Sequence, residues 1–153
     1  MSKIICGIDL GTKKTGFCCL KSDKSIYKLV LFESQNSNSS KRILEIAYKI
    51  KQELSKKISV VYVETPIYIQ NFYTSSLLDR LFGMCELICS DIGIEFNSVS
   101  NKKWKKEVLG NGGASKEDIM LFSKTYWAKE NFLSQDMCDA ACIALYGLNE
   151  KKK

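Results

Sequence analysis

Hydrophobic residues fall along this chain in two patterns, short unbroken runs and stripes at helical spacing. Residues 4–10 open with Ile4-Ile5-Cys6-Gly7-Ile8, apolar at every position, as in a strand buried on both faces. A turn over residues 11–16 follows, and residues 17–20 and 27–32 complete an expected three-stranded meander. A polar loop spans residues 34–40. The pattern then changes: Ile43, Ala47, Ile50 and Leu54 form one stripe of an amphipathic helix over residues 41–56. Residues 60–63 predict a second buried strand, ended by Glu64 and the single proline, Pro66. From Ser75 the stripe Leu78, Leu81, Cys85, Ile88 and Ile92 marks a long helix closing near Gly93.

Residues 94–99 supply a fifth strand, residues 102–108 a helical turn, and residues 110–113 a glycine-rich connector. Ser115, with Asp118 three positions on, caps the next helix. The last helix covers residues 135–148, with Met137, Ala140, Ala141, Ala144 and Leu148 on its inward stripe and a frayed tail beyond. Three strands, then alternating helices and strands, predict one α/β domain over residues 1–153. Its sheet is mixed and five-stranded, with helices on both faces.

Composition narrows the chemistry. The chain holds 153 residues and no histidine, which excludes Ser-His-Asp and Cys-His catalysis and mixed Cys/His zinc sites. Its seven cysteines include no C-x-x-C pair and read as small core residues. The net charge of +6 is carried almost wholly by lysine, a phosphate partner rather than a base reader. No apolar run approaches the roughly 20 residues of a membrane span, and residues 1–8 lack the layout of a signal peptide. A cytoplasmic, membrane-free protein with a leaning toward nucleic acid is the expectation.

Four acids stand out. Asp9 follows an apolar strand, where a charge needs a partner, a proton or a cation. Glu64 repeats the anomaly at the end of residues 60–63. If those strands are parallel neighbours, both acids emerge at one carboxyl edge, where open α/β sheets place ligands. Asp136 and Asp139, three apart, flank the apolar stripe of the last helix and aim along the same margin. Such acids repel one another unless cations intervene, and an oxygen-only ligand set suits Mg²⁺, with Mn²⁺ as substitute. Two ions about 4 Å apart would bind the attacking water and stabilise a leaving 3′ oxygen. Taken singly, Asp9 could stabilise the turn at Gly11, Glu64 could cap a loop, Asp136 could favour a helix start, and Asp139 could be a surface residue.

The segment from Gly7 through Asp9 and Gly11 to Gly16, then Val63-Glu64, then Asp136-Met137-Cys138-Asp139-Ala140, resembles the RuvC family of Holliday junction resolvases in order and approximate spacing. Gly110-Asn111-Gly112-Gly113-Ala114-Ser115-Lys116 is similar to that family's loop before a helix. The resemblance implies an RNase H-like fold and a homodimer that makes paired nicks in a four-way DNA junction. It also implies catalytic metal-binding acids at Asp9, Glu64, Asp136 and Asp139, and a basic residue at Lys116 near the scissile phosphate. The chain departs from the family after Glu64, where Thr65-Pro66-Ile67-Tyr68 stands in place of a glutamine-led segment. Its length suits a phage-encoded relative.

Candidate DNA contacts are Tyr68, Phe72 and Tyr73 in an expected loop beside the acids, and Lys102, Lys103, Lys105 and Lys106 around Trp104. Gly112 and Lys116 would let the backbone approach a phosphate, although the glycines could equally form a flexible connector. Packing under the next helix or a solvated lysine face are the plainer readings. Gly83, inside the long helix, would suit close approach of a second copy. Three other functions share parts of this pattern: a YqgF-like nuclease for structured RNA, a junction-binding module that does not cleave, and an actin-like nucleotide-binding fragment.

Overall fold

The computed structural model describes residues 3–67 and 70–153. Five strands, β1 (Ile4–Asp9), β2 (Lys14–Leu20), β3 (Ile26–Glu33), β4 (Ile58–Glu64) and β5 (Glu95–Val99), form one sheet in the order β3-β2-β1-β4-β5. The meander β1-β2-β3 is antiparallel, while β4 and β5 run parallel to β1, so the sheet is mixed as expected. Helices α1 (Ser39–Glu53) and α2 (Phe72–Ile92) cover one face. Helices α3 (Asn101–Leu109), α4 (Lys116–Tyr126) and α5 (Gln135–Glu150) belong to the other.

The strand period of two sorts the sheet residues between these faces. Ile5, Cys18, Leu20, Val60 and Tyr62 pack with α5, whereas Ile4, Cys6, Ile8, Phe17, Val61 and Val63 pack with α1 and α2. Helix α5 is buried all round: from Met137 to Leu148 only Asp139 is not fully buried. That corrects the expected one-sided stripe, and α3 and α4 supply the cover on its far side. Small residues let α5 lie almost on the strands. A Cβ added to Gly7 would stand 2.2 Å from the Ala140 carbonyl oxygen, and one added to Gly16 would stand 1.9 Å from that of Asp136.

Several boundaries differ from expectation. Strand β2 begins at Lys14 because Thr15, fully buried, closes the turn early: its hydroxyl accepts from the Gly11 N–H and donates to the Gly11 carbonyl, both at 3.1 Å. Helix α2 begins at Phe72, capped by Asn71, whose side chain accepts from the Thr74 N–H. Phe72 and Tyr73 are therefore the first turn of a helix and not a loop. The segment after α3 is ordered by local bonds rather than a flexible connector. Gly110 takes the left-handed conformation (φ 79°) that ends α3, and Asn111 Oδ1 accepts from the Gly113 N–H at 2.9 Å. Among the described residues no helix is long and apolar enough to cross a membrane.

Candidate active site

The alternation that sorts the sheet also aims two acids. Ile5, Gly7 and Asp9 share one side of β1, and Val60, Tyr62 and Glu64 share one side of β4; both series face α5. Strands β1 and β4 are parallel neighbours with Ile8 beside Val63, so Asp9 and Glu64 leave the sheet at the same carboxyl edge. Asp9 pairs with Gly16 across β1-β2, and the Asp136 backbone rests on Gly16. Three elements far apart in sequence thereby deliver Asp9, Glu64, Asp136 and Asp139 to one place.

Electrostatics record the crowding. Burial, then the charges of Asp139, Glu64 and Asp136, hold the Asp9 carboxyl well above the usual carboxylate range, and a hydrogen bond with Asp136 adds to the rise. Burial pushes Asp139 up to about 6, the charges of Glu64 and Asp136 push the same way, and the Gln135 hydrogen bond and Lys105 charge pull against them. Gln135 Nε2 donates to Asp139 Oδ1 at 2.9 Å. Asp9 and Glu64 also line a cleft of about 100 Å³ with Leu10, Thr65, Pro66, Ile67 and Leu78.

Glu64 has partners that sequence reasoning missed. Trp104 Nε1 donates to Glu64 Oε2 at 2.7 Å, and Asn101 Nδ2 lies 3.3 and 3.2 Å from the two carboxylate oxygens. Both residues are on α3, which starts just past the end of β5, where Val99 pairs with Glu64. The i, i+3, i+4 spacing of Asn101, Trp104 and Lys105 was the available signal.

The other expected site residues divide. Lys105 is half-buried, with its ammonium 5.8 Å from the Trp104 ring centroid and its charge felt by Asp139. Lys103 lies over the Tyr146 ring at 5.8 Å, and Lys102 and Lys106 are exposed. Lys116 is exposed at the start of α4, and no contact among the described residues joins it to the four acids. A Cβ on Gly112 would lie 3.2 Å from the Lys102 carbonyl, so this glycine packs against α3. Phe72 and Tyr73 are 74% and 60% exposed at the start of α2; Tyr68 lies outside the described residues. All seven cysteines are free and buried, as packing residues should be.

The donor set of four carboxylates fits hard divalent cations. Among the described residues no three Asp, Glu or Cys side chains form a ready-made metal cage.

A family model described as "Crossover junction endodeoxyribonuclease RuvC" matches residues 5–146. Curated proteins of that name from Brachyspira hyodysenteriae and Bdellovibrio bacteriovorus are 29% and 27% identical. The alignments cover 93% and 100% of this chain and 91% and 94% of those proteins. The structure of Thermus thermophilus RuvC in complex with a Holliday junction substrate superposes with a TM-score of 0.83 at 17% identity, covering 98% of this chain and 96% of that one. An RNase H-like sheet with its acids at the carboxyl edge, and a family match spanning nearly the whole chain, place this protein in the RuvC family of crossover junction endodeoxyribonucleases.

Proposed function

We propose that the chain works as a single nuclease domain that resolves four-way DNA junctions. It would make paired nicks as a homodimer, using two Mg²⁺ ions per site held by Asp9, Glu64, Asp136 and Asp139. The observation carrying this reading is the gathering of those four acids at one sheet edge, where burial first and their mutual repulsion second raise the Asp9 and Asp139 carboxyls. Metal dependence is common to RuvC-family nucleases. When bound, the ions would supply an activated water and charge stabilisation for the departing 3′ oxygen. The chain's own part is to fix the donors: Gly16 lets the Asp136 backbone sit against β2, Gln135 orients Asp139, and Lys105 brings a positive charge beside it.

Phe72 and Tyr73 offer exposed rings at the start of α2 for stacking on DNA bases, while Lys102, Lys106 and Lys116 offer exposed ammonium groups for phosphates. The homodimer reading is supported on α2, where Gly83 faces open space and Leu87 is 62% exposed. The test compares four-way, three-way, flap and linear DNA with Mg²⁺, using Asp9→Asn as control. The four-way junction should be cut fastest, and Asp9→Asn should bind it without cleavage. Faster cutting of structured RNA, or unchanged cleavage by Asp9→Asn, would refute the reading.

A further inference from the structure

We infer that Trp104 and Asn101 are positioning residues that hold the Glu64 carboxylate in the orientation needed to ligate a divalent cation. This rests on the metal-dependent reading above. Trp104 is fully buried in the core on the α5 face, and the single polar atom of its side chain, Nε1, is spent on Glu64 Oε2 at 2.7 Å. Asn101 reaches both oxygens of the same carboxylate from the first turn of α3. The placement follows from the topology. The Thr65 N–H donates to the Val99 carbonyl at 2.9 Å, which ties the end of β4 to the end of β5; Ser100 then caps α3, and its first turn comes up beside Glu64.

The chemistry of the donors suits the task. A carboxylate has about four lone-pair directions, and two donors leave acceptor capacity free toward the cleft that Glu64 shares with Asp9. Both donors are neutral. An ammonium in their place would neutralise Glu64 and compete with a cation, whereas an indole N–H and an amide restrict the rotamer without removing charge. Asp9 has acids and burial around it, so Glu64 is the member of the group held from outside by two neutral donors. Partners of this kind orient metal ligands, and their loss lowers affinity about 10–100-fold.

The experiment is a Mn²⁺ titration of DNA-free protein, read from the electron paramagnetic resonance signal of the free ion, alongside thermal melts. Wild type, Trp104→Phe, Asn101→Ala, the double variant and Asp9→Asn are compared. Trp104→Phe removes the donor together with the five-membered ring, and the thermal melts read the cost of that lost volume separately. The expected result is Mn²⁺ binding weakened about tenfold in each single variant and further in the double, at a melting temperature that does not account for the loss. Raising Mn²⁺ should restore junction cleavage by the single variants. Binding within twofold of wild type in the variants overturns the inference while leaving the metal site intact. If Trp104→Phe fails to fold, Asn101→Ala, at a half-exposed position, decides alone. A wild type that binds no Mn²⁺, or an Asp9→Asn variant that binds it equally well, defeats the metal reading itself and this inference with it.

Discussion

On the α5 face of the sheet, contact runs from backbone to backbone. On the opposite face, α1 and α2 stand off the strands on large side chains. Gly7 and Gly16 admit the α5 main chain to distances that no Cβ would permit, whereas Ile43, Ile46, Ile50 and Leu81 fill the layer beneath α1 and α2 with fully buried aliphatic volume. The two arrangements serve different ends. A layer of aliphatic side chains can shift by tenths of an ångström and remain a core. A helix resting on glycine backbone has one position, and that position places Asp136 and Asp139 against Asp9. The site therefore sits on the face with the least freedom, while the outer surface of α2 keeps an open glycine and exposed leucine.

The largest test of this contrast is Gly16→Ala against Ile46→Ala. The added methyl collides with the Asp136 backbone, which cannot yield cheaply. It should destabilise the protein by about 3 kcal/mol or more and lower cleavage per folded molecule, because the acids move with the helix. Ile46→Ala opens a cavity on the far face and should cost about 2–4 kcal/mol in denaturant melts, with cleavage per folded molecule retained. Equal loss of specific activity in both would break the comparison.

A smaller effect comes from Asp139→Asn. The Asp139 carboxyl is raised to about 6 in the folded protein, so the fold binds this proton more tightly than the unfolded chain does. Stability from that preference is present in full at low pH and is lost as pH rises from about 4 through about 6. Metal-free Asp139→Asn should therefore match wild type near pH 4 and exceed it by about 1–2 kcal/mol at pH 8, as read by urea unfolding. A variant less stable than wild type at pH 8 would show that the carboxylate is not under strain. The same proton competes with a cation, so wild-type cleavage at limiting Mg²⁺ should fall as pH drops below about 6.

The smallest effect belongs to the outer surface. Gly83→Ala meets nothing within 4 Å, and replacing a helix-interior glycine should stabilise the chain by up to about 1 kcal/mol. Sedimentation at matched concentrations would sharpen the contrast further: a weakened dimer would place the second copy on this face.

Much of this was legible in local pattern. The unbroken apolar runs of the buried strands, the Ser115 cap with Asp118, and the strand-end positions of Asp9 and Glu64 follow from neighbouring residues, and the structure agrees; that the two strand ends share one edge rests on the parallel β1-β4 pairing. The start of α2 was missed because Asn71 is a cap whose helix opens on polar and aromatic residues before its apolar stripe begins. Trp104 was read only through the lysines around it, since its partner Glu64 stands forty positions away in the chain.

The order of residues alone determined which side chains carry charge into apolar strands, the type and order of most elements, and that imidazole chemistry is absent. Only the tertiary structure decided that α5 would be buried all round, that Gly16 would carry the Asp136 backbone, and that α3 would bring Trp104 and Asn101 to Glu64. Those outcomes depend on close approach between distant segments. Approach is set by how backbones and volumes fit across layers, which no local period encodes.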